Sequence, residues 1–62
     1  MKVTKNDGTE VKKGEILEDF RGEKWVFDYL TRDHKIYVKP LDGGMDRVFF
    51  PSVFNLKIKE NE

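Results

Sequence analysis

The stretch Lys35-Ile36-Tyr37-Val38-Lys39 decides how the rest of this sequence is interpreted. Apolar and polar residues alternate in it with a period of two, which is the period of a β-strand that has one buried face. Ile36 and Val38 are therefore predicted to face the interior. The same alternation places Lys35, Tyr37 and Lys39 on the outer surface.

The rest of the chain repeats this pattern between turn signals. Alanine and glutamine, both good helix formers, are absent, and β-branched and aromatic residues take their place. Turn signals recur at Asn6-Asp7-Gly8, Lys13-Gly14, Arg21-Gly22, Arg32-Asp33-His34 and Asp42-Gly43-Gly44. They predict strands at about residues 15–20, 24–31, 35–39, 46–50 and 56–59, with a 3₁₀ turn over 51–54.

Five or six short strands in 62 residues are too few for two separate cores. The sequence therefore predicts one all-β domain over residues 1–62, a small SH3-like antiparallel barrel with a 3₁₀ turn before the last strand. Residues 1–10 are predicted to contain an N-terminal hairpin, and residues 60–62 a frayed tail.

Alternation also assigns faces on the other strands. On the long strand, Trp25, Phe27 and Tyr29 are predicted to face inward, because the opposite choice would bury Asp28 without a partner. A two-residue turn at Arg21-Gly22 would set Asp19 opposite Lys24 and Ile16 opposite Phe27. Towards the end of the chain, the predicted inward residues are Val48, Phe50, Leu56 and Ile58, which leaves Arg47, Phe49, Lys57 and Lys59 outward.

Composition narrows the classes of function. The chain has no cysteine and one histidine, so neither a disulfide framework nor a metal site of several Cys or His ligands is expected. Twelve basic and twelve acidic residues cancel, which disfavours strong attraction to nucleic acid. No apolar run approaches the roughly 20 residues of a membrane span, and residues 1–8 lack the apolar segment of a signal peptide. A cytoplasmic location is therefore expected.

No catalytic or cofactor-binding constellation is predicted. His34 lies in a polar turn, where an exposed position is expected. Glu15, Glu18, Asp19 and Glu23 cluster along one hairpin, and we expect a solvated, ion-paired face there. A chain of this length offers little room for a cleft that excludes water, so we expect a protein without enzyme activity.

One group of residues suggests recognition. Basic side chains alternate with two aromatic ones on strands expected to be neighbours, and the candidate binding residues are Lys35, Tyr37, Lys39, Arg47, Phe49, Lys57 and Lys59. Such a surface suits a protein partner, or the phosphates and bases of a nucleic acid. It also suits lysines that only prevent edge-to-edge pairing of strands.

Two segments resemble SH3 domains. Lys12-Lys13-Gly14-Glu15-Ile16-Leu17 is similar to the segment that enters their second strand, and Phe50-Pro51-Ser52-Val53-Phe54 to the turn before their last strand. Because none of the first ten residues is aromatic, the tyrosines of the proline-rich-peptide groove have no counterpart. The resemblance implies the barrel and not the groove.

A second resemblance concerns origin. Asp19-Phe20-Arg21-Gly22-Glu23-Lys24-Trp25, followed by Phe50-Pro51-Ser52-Val53-Phe54 and Leu56, resembles short uncharacterised proteins of phages and prophages of Gram-positive bacteria. This resemblance implies action in the host cytoplasm and assigns no role to any residue. The resulting hypothesis is a binding module, monomeric or weakly dimeric, that engages a protein such as a host factor. Nucleic-acid binding and a part in virion assembly are the alternatives.

Overall fold

A computed structural model describes residues 2–60 of the chain, which form six β-strands and one 3₁₀ turn. The strands are Lys2–Thr4 (β1), Ile16–Glu18 (β2), Lys24–Leu30 (β3), Ile36–Pro40 (β4), Arg47–Phe49 (β5) and Lys57–Lys59 (β6), and the 3₁₀ turn is Pro51–Phe54. The predicted all-β fold is confirmed, as is the 3₁₀ turn before the last strand. Residues 2–60 contain no helix long and apolar enough to cross a membrane. Of the predicted frayed tail, residues 61 and 62 lie outside the described residues.

The strands pair in two antiparallel sheets. The larger sheet has the order β2-β3-β4-β5, and the smaller one pairs β1 with β6. Across residues 2–60, strand pairing therefore does not run around one closed ring, although the order of elements is that of the SH3-like barrel. Both sheets contribute to one core, whose buried apolar residues are Val3, Val11, Leu17, Trp25, Phe27, Ile36, Val38, Phe54 and Leu56.

The N-terminal segment forms a tight turn and returns to β1. Gly8 donates its N–H to the carbonyl of Lys5 at 2.9 Å, and an isolated bridge pairs Thr4 with Glu10. The N–H of Val11 then donates to the carbonyl of Val3 at 2.8 Å. This return places both valines in the core.

The hairpin between β2 and β3 has a three-residue loop, so the predicted two-residue turn at Arg21-Gly22 is wrong. The register pairs Glu18 with Lys24 and Ile16 with Val26, and the N–H of Asp19 donates to the carbonyl of Glu23 at 2.9 Å. Gly22, the last loop residue, has a φ of 87°, which glycine adopts at low cost. Neither predicted cross-strand pair, Asp19 with Lys24 or Ile16 with Phe27, is formed.

A β-bulge at Asp28 reverses the alternation of β3. Phe27 pairs with Val38 but Tyr29 pairs with Tyr37, which leaves Asp28 without a partner across the strands. Trp25 and Phe27 are buried as predicted. The prediction that Tyr29 faces inward is wrong, because the extra residue turns its side chain to the outer surface, where it is 50% exposed.

The face assignment of β5 is also corrected. Phe49 pairs with Ile36, so both side chains point to the core, and the ring of Phe49 packs edge-to-face against those of Trp25 at 5.1 Å and Phe54 at 5.5 Å. Val48 and Phe50, predicted to be buried, are 45% and 63% exposed. Leu56 and Ile58 were also predicted to face inward, and here Leu56 is buried and Ile58 is half-buried.

Candidate functional site

The seven residues predicted to form one binding surface lie on three different parts of the molecule. Tyr37 and Lys39 lie on the solvent-facing side of the four-stranded sheet, with Lys35 just before the start of β4. Arg47 and Phe49 alternate with Val48 and therefore share the opposite side, that of Val38 and Ile36. Lys57 and Lys59 belong to β6 of the other sheet.

The structure does assemble an apolar and aromatic surface on the solvent-facing side of the four-stranded sheet, which we call the outer face. Two rows of side chains cross the strands, one of Ile16, Val26 and Lys39 and the other of Tyr29, Tyr37 and Val48. Ile16, Tyr29 and Val48 are each about half exposed, at 48%, 50% and 45%. Contiguous apolar surface of this kind on a small domain is typical of an interaction site.

Two tyrosines form the centre of the outer face. The rings of Tyr29 and Tyr37 stack with centroids 4.8 Å apart and an angle of 13° between their planes. The Tyr37 hydroxyl donates a hydrogen bond to Asp46 Oδ2 at 2.9 Å. This bond to a carboxylate raises the pKa of Tyr37 above its usual value, because ionisation would break it. The stack therefore presents a flat, neutral surface held in place from its β5 side.

The basic side chains near the outer face are paired with acids. Asp28, at the bulge, contacts Lys13 Nζ at 3.5 Å and Lys39 Nζ at 3.8 Å. Lys35 contacts Asp33 at 3.5 Å, and its Nζ lies 5.2 Å from the centre of the Phe50 ring. These pairs lower the net positive charge available on this surface.

Asp19 is the exception to the predicted solvated acidic hairpin, since its side chain is only 1% exposed. One carboxylate oxygen accepts the N–H groups of Arg21 and Glu23, each at 2.9 Å, and the other accepts the indole N–H of Trp25 at 3.2 Å. Burial acts to raise the pKa of the Asp19 carboxyl, but these donors together outweigh it and hold the pKa below its usual value. Asp19 therefore organises the hairpin and joins it to the core.

The other acids of this hairpin form ion pairs near the surface. Glu15 pairs with Lys5, Glu18 with Lys24 and Glu23 with Arg21. Hydrogen bonding to Lys5 lowers the pKa of Glu15. Within residues 2–60, no three His, Cys, Asp or Glu side chains are grouped so that they could hold a metal ion. These acids are explained by local structure.

A cleft of 420 Å³ lies at the end of the four-stranded sheet, beside the β2–β3 hairpin and the loop between β4 and β5. We call it the hairpin cleft, and its main lining residues are Lys24, Trp25, Pro40, Leu41, Met45 and Arg47. Arg47 pairs with Val38 across the strands, but it stays exposed because β5 begins at this position, at the open end of the sheet.

Comparisons with protein-family models, with curated proteins and with solved structures found no significant match to this chain. The structure itself defines a small all-β domain with an exposed aromatic sheet face.

The predicted binding set lacked four members of the outer face, namely Ile16, Val26, Tyr29 and Val48. The three-residue loop pairs Ile16 with Val26 instead of Phe27, and the bulge turns Tyr29 outward. Unbroken alternation therefore misplaced both residues. Asp28 was an available signal for the bulge. A carboxylate in the middle of a strand needs basic partners, and a bulge at that position is compatible with this need. The cleft was missed as well, because it is formed by residues that are far apart in the sequence.

Proposed function

We propose that this protein is a non-catalytic binding module of phage or prophage origin that engages a protein partner through its outer face. It acts in the cytoplasm of a Gram-positive host. The origin and location are supported by the resemblance of the Asp19–Trp25 and Phe50–Leu56 segments to phage proteins. The mode of action is supported by the outer face.

The observation behind the proposal is the stacked pair of Tyr29 and Tyr37 beside the exposed side chains of Ile16 and Val48. No part of residues 2–60 covers these half-exposed groups. Tyrosine is enriched at the centres of protein interfaces because it combines a large apolar surface with a polar end. A strand-based platform also fixes these side chains before binding, which reduces the entropic cost of association.

The charges favour a protein over a nucleic acid. Lys35 and Lys39 contact Asp33 and Asp28, and Asp46 lies beside Tyr37. With Lys13, which also contacts Asp28, a phosphate approaching the outer face would meet three carboxylates beside three lysines. A nucleic-acid interface instead needs several basic groups free to replace counterions.

A matched pair of variants tests the proposal. The face variant combines Tyr29→Ala with Val48→Ala, and the control combines Lys57→Ala with Lys59→Ala on β6. Each is immobilised after its melting temperature has been checked, and lysate of a Gram-positive host is passed over it. We expect a host protein to bind the wild type and the control but not the face variant, and the purified pair to bind with a Kd in the micromolar range or tighter.

Two results would contradict the proposal. One is recovery of the same proteins by the wild type and the face variant. The other is binding of labelled DNA or RNA that weakens steeply as salt is raised and depends on the outer face, which would assign this surface to nucleic acid.

A further inference from the structure

We infer that the hairpin cleft is a second binding site, and that it binds an acidic peptide segment. In this segment an apolar side chain stands next to a carboxylate. The site is separate from the outer face. Arg47 and Val38 share one side of the sheet, whereas Tyr37 and Val48 share the other. The inference therefore does not depend on the proposed function.

The walls of the cleft suit an apolar side chain. Trp25 and Pro40 pair across β3 and β4, and Leu41 and Met45 stand on the loop that follows. Leu41 is 53% exposed and Met45 is 84% exposed, so both offer apolar surface to a side chain that enters the cleft. Methionine also adapts its shape to different ligands. The volume of 420 Å³ lies within the roughly 300–1,000 Å³ typical of ligand pockets, and leaves room for one or two side chains.

Arg47 supplies the polar part of the site. The other basic residues at this end of the sheet are occupied, Lys24 by Glu18 at 3.6 Å and Arg21 by Glu23 at 3.1 Å. The guanidinium of Arg47 makes no ion pair with any residue in the described range 2–60, although it borders the cleft. An arginine can bind a carboxylate through two parallel hydrogen bonds. A carboxylate on the ligand is therefore the group that this cation would select.

Two acids, Glu23 and Asp42, border the same cleft and limit the choice of ligand. Glu23 is paired with Arg21 at 3.1 Å. Asp42 borders the cleft, and its Oδ1 accepts the N–H of Gly44 at 3.1 Å. This bond directs one oxygen of the Asp42 carboxylate onto its own loop. A ligand with its acid next to a single apolar side chain can place that acid at Arg47 while its apolar group fills the cleft beside Trp25.

The test uses two blocked peptides that differ in one group, acetyl-Gly-Phe-Asp-Gly-amide and acetyl-Gly-Phe-Asn-Gly-amide. Each is titrated into ¹⁵N-labelled protein and followed by NMR. The chain has one tryptophan, so the indole N–H of Trp25 gives a single signal at the wall of the cleft. We expect the Asp peptide to shift the signals of Trp25, Leu41 and Met45, and to bind at least about five-fold more tightly than the Asn peptide.

Two variants assign the effect to Arg47. Arg47→Gln should reduce the affinity for the Asp peptide about five-fold and remove the difference between the peptides, whereas Lys59→Gln on β6 should change neither. Equal binding of the two peptides by the wild type would overturn the inference. So would the absence of shifts at Trp25 up to millimolar peptide, or stronger binding of a short oligonucleotide at the same signals.

Discussion

The indole N–H of Trp25 donates a hydrogen bond to the carboxylate of Asp19, six residues earlier in the chain. The bond joins the loop of the β2–β3 hairpin to the core, because Trp25 is itself buried and packs edge-to-face against Phe49. It also gives a physical reason for three residues of the segment 19–25. Asp19 accepts the donors, Gly22 closes the loop with a positive φ, and Trp25 connects the loop to the interior.

Asp19→Ala is expected to destabilise the fold strongly. It leaves the N–H groups of Arg21 and Glu23 and the indole of Trp25 without their acceptor, and an unsatisfied buried donor is costly. We expect the melting temperature to fall by about 10 °C or more. Glu18→Ala, which removes an exposed acid of the same hairpin, is the control and should lower it by only a few degrees. Equal effects of the two substitutions would contradict the role given to Asp19.

Acid should weaken the fold through Asp19 and Glu15. The pKa of each carboxyl is lowered in the folded protein, so each favours folding above its unfolded pKa of about 4. This contribution is lost as the pH falls through the folded pKa. The melting temperature of the wild type should therefore drop below about pH 4, and the difference between the wild type and Asp19→Asn should shrink over the same range. A difference that stayed constant with pH would show that ionised Asp19 has no special part in stability.

Phe49 and Phe50 offer a direct test of the corrected faces. Phe49→Ala removes a ring packed between Trp25 and Phe54, and we expect it to cost about 3 kcal/mol, most of the stability of a domain this small. Phe50→Ala removes a ring that is 63% exposed and lies 5.2 Å from Lys35 Nζ in a cation–π contact, and should cost about 0.5 kcal/mol. Urea unfolding followed by Trp25 fluorescence measures both.

Phe49→Leu provides a milder variant if Phe49→Ala does not fold. It should still be less stable than Phe50→Leu. The opposite order would restore the face assignment predicted from alternation alone.

Because of Asp46, Tyr37 should ionise at a higher pH than an ordinary tyrosine. The hydrogen bond to the carboxylate raises the pKa of Tyr37, so its contribution to stability is present below the unfolded pKa of about 10 and is lost as the pH rises through the folded value. In a Tyr29→Phe background, where Tyr37 is the remaining tyrosine of the sequence, Asp46→Asn should lower the pKa seen by ultraviolet absorbance. Unchanged titration would mean that the bond to Asp46 is absent in solution.

Alternation along each strand was enough to predict the centre of the fold. Ile36 and Val38 are fully buried, and the argument that Asp28 could not be buried without a partner correctly placed Trp25 and Phe27 inside. The strand order of the β2–β5 meander followed from the turn residues between the strands.

The errors have local causes that a period of two cannot show. Phe49 and Phe50 are adjacent, so alternation allows either ring to be buried, and the choice depends on the space between Trp25 and Phe54. Alternation placed Arg47 outward together with Phe49, yet Arg47 lies at the end of the sheet, where a charged group reaches solvent from the inner side. Asp19 was predicted to be a surface acid. Its three hydrogen-bond donors come together only in the folded loop, so the alternation of residues does not reveal them.

The bulge at Asp28 determines how much aromatic surface this domain exposes. If Asp28 occupied a regular position in the strand, with no bulge, unbroken alternation would turn Tyr29 into the interior, and the ring of Tyr37 would lose the neighbour on which it stacks. A relative that carried the same residues in a regular β3 would therefore expose one tyrosine of this pair instead of two.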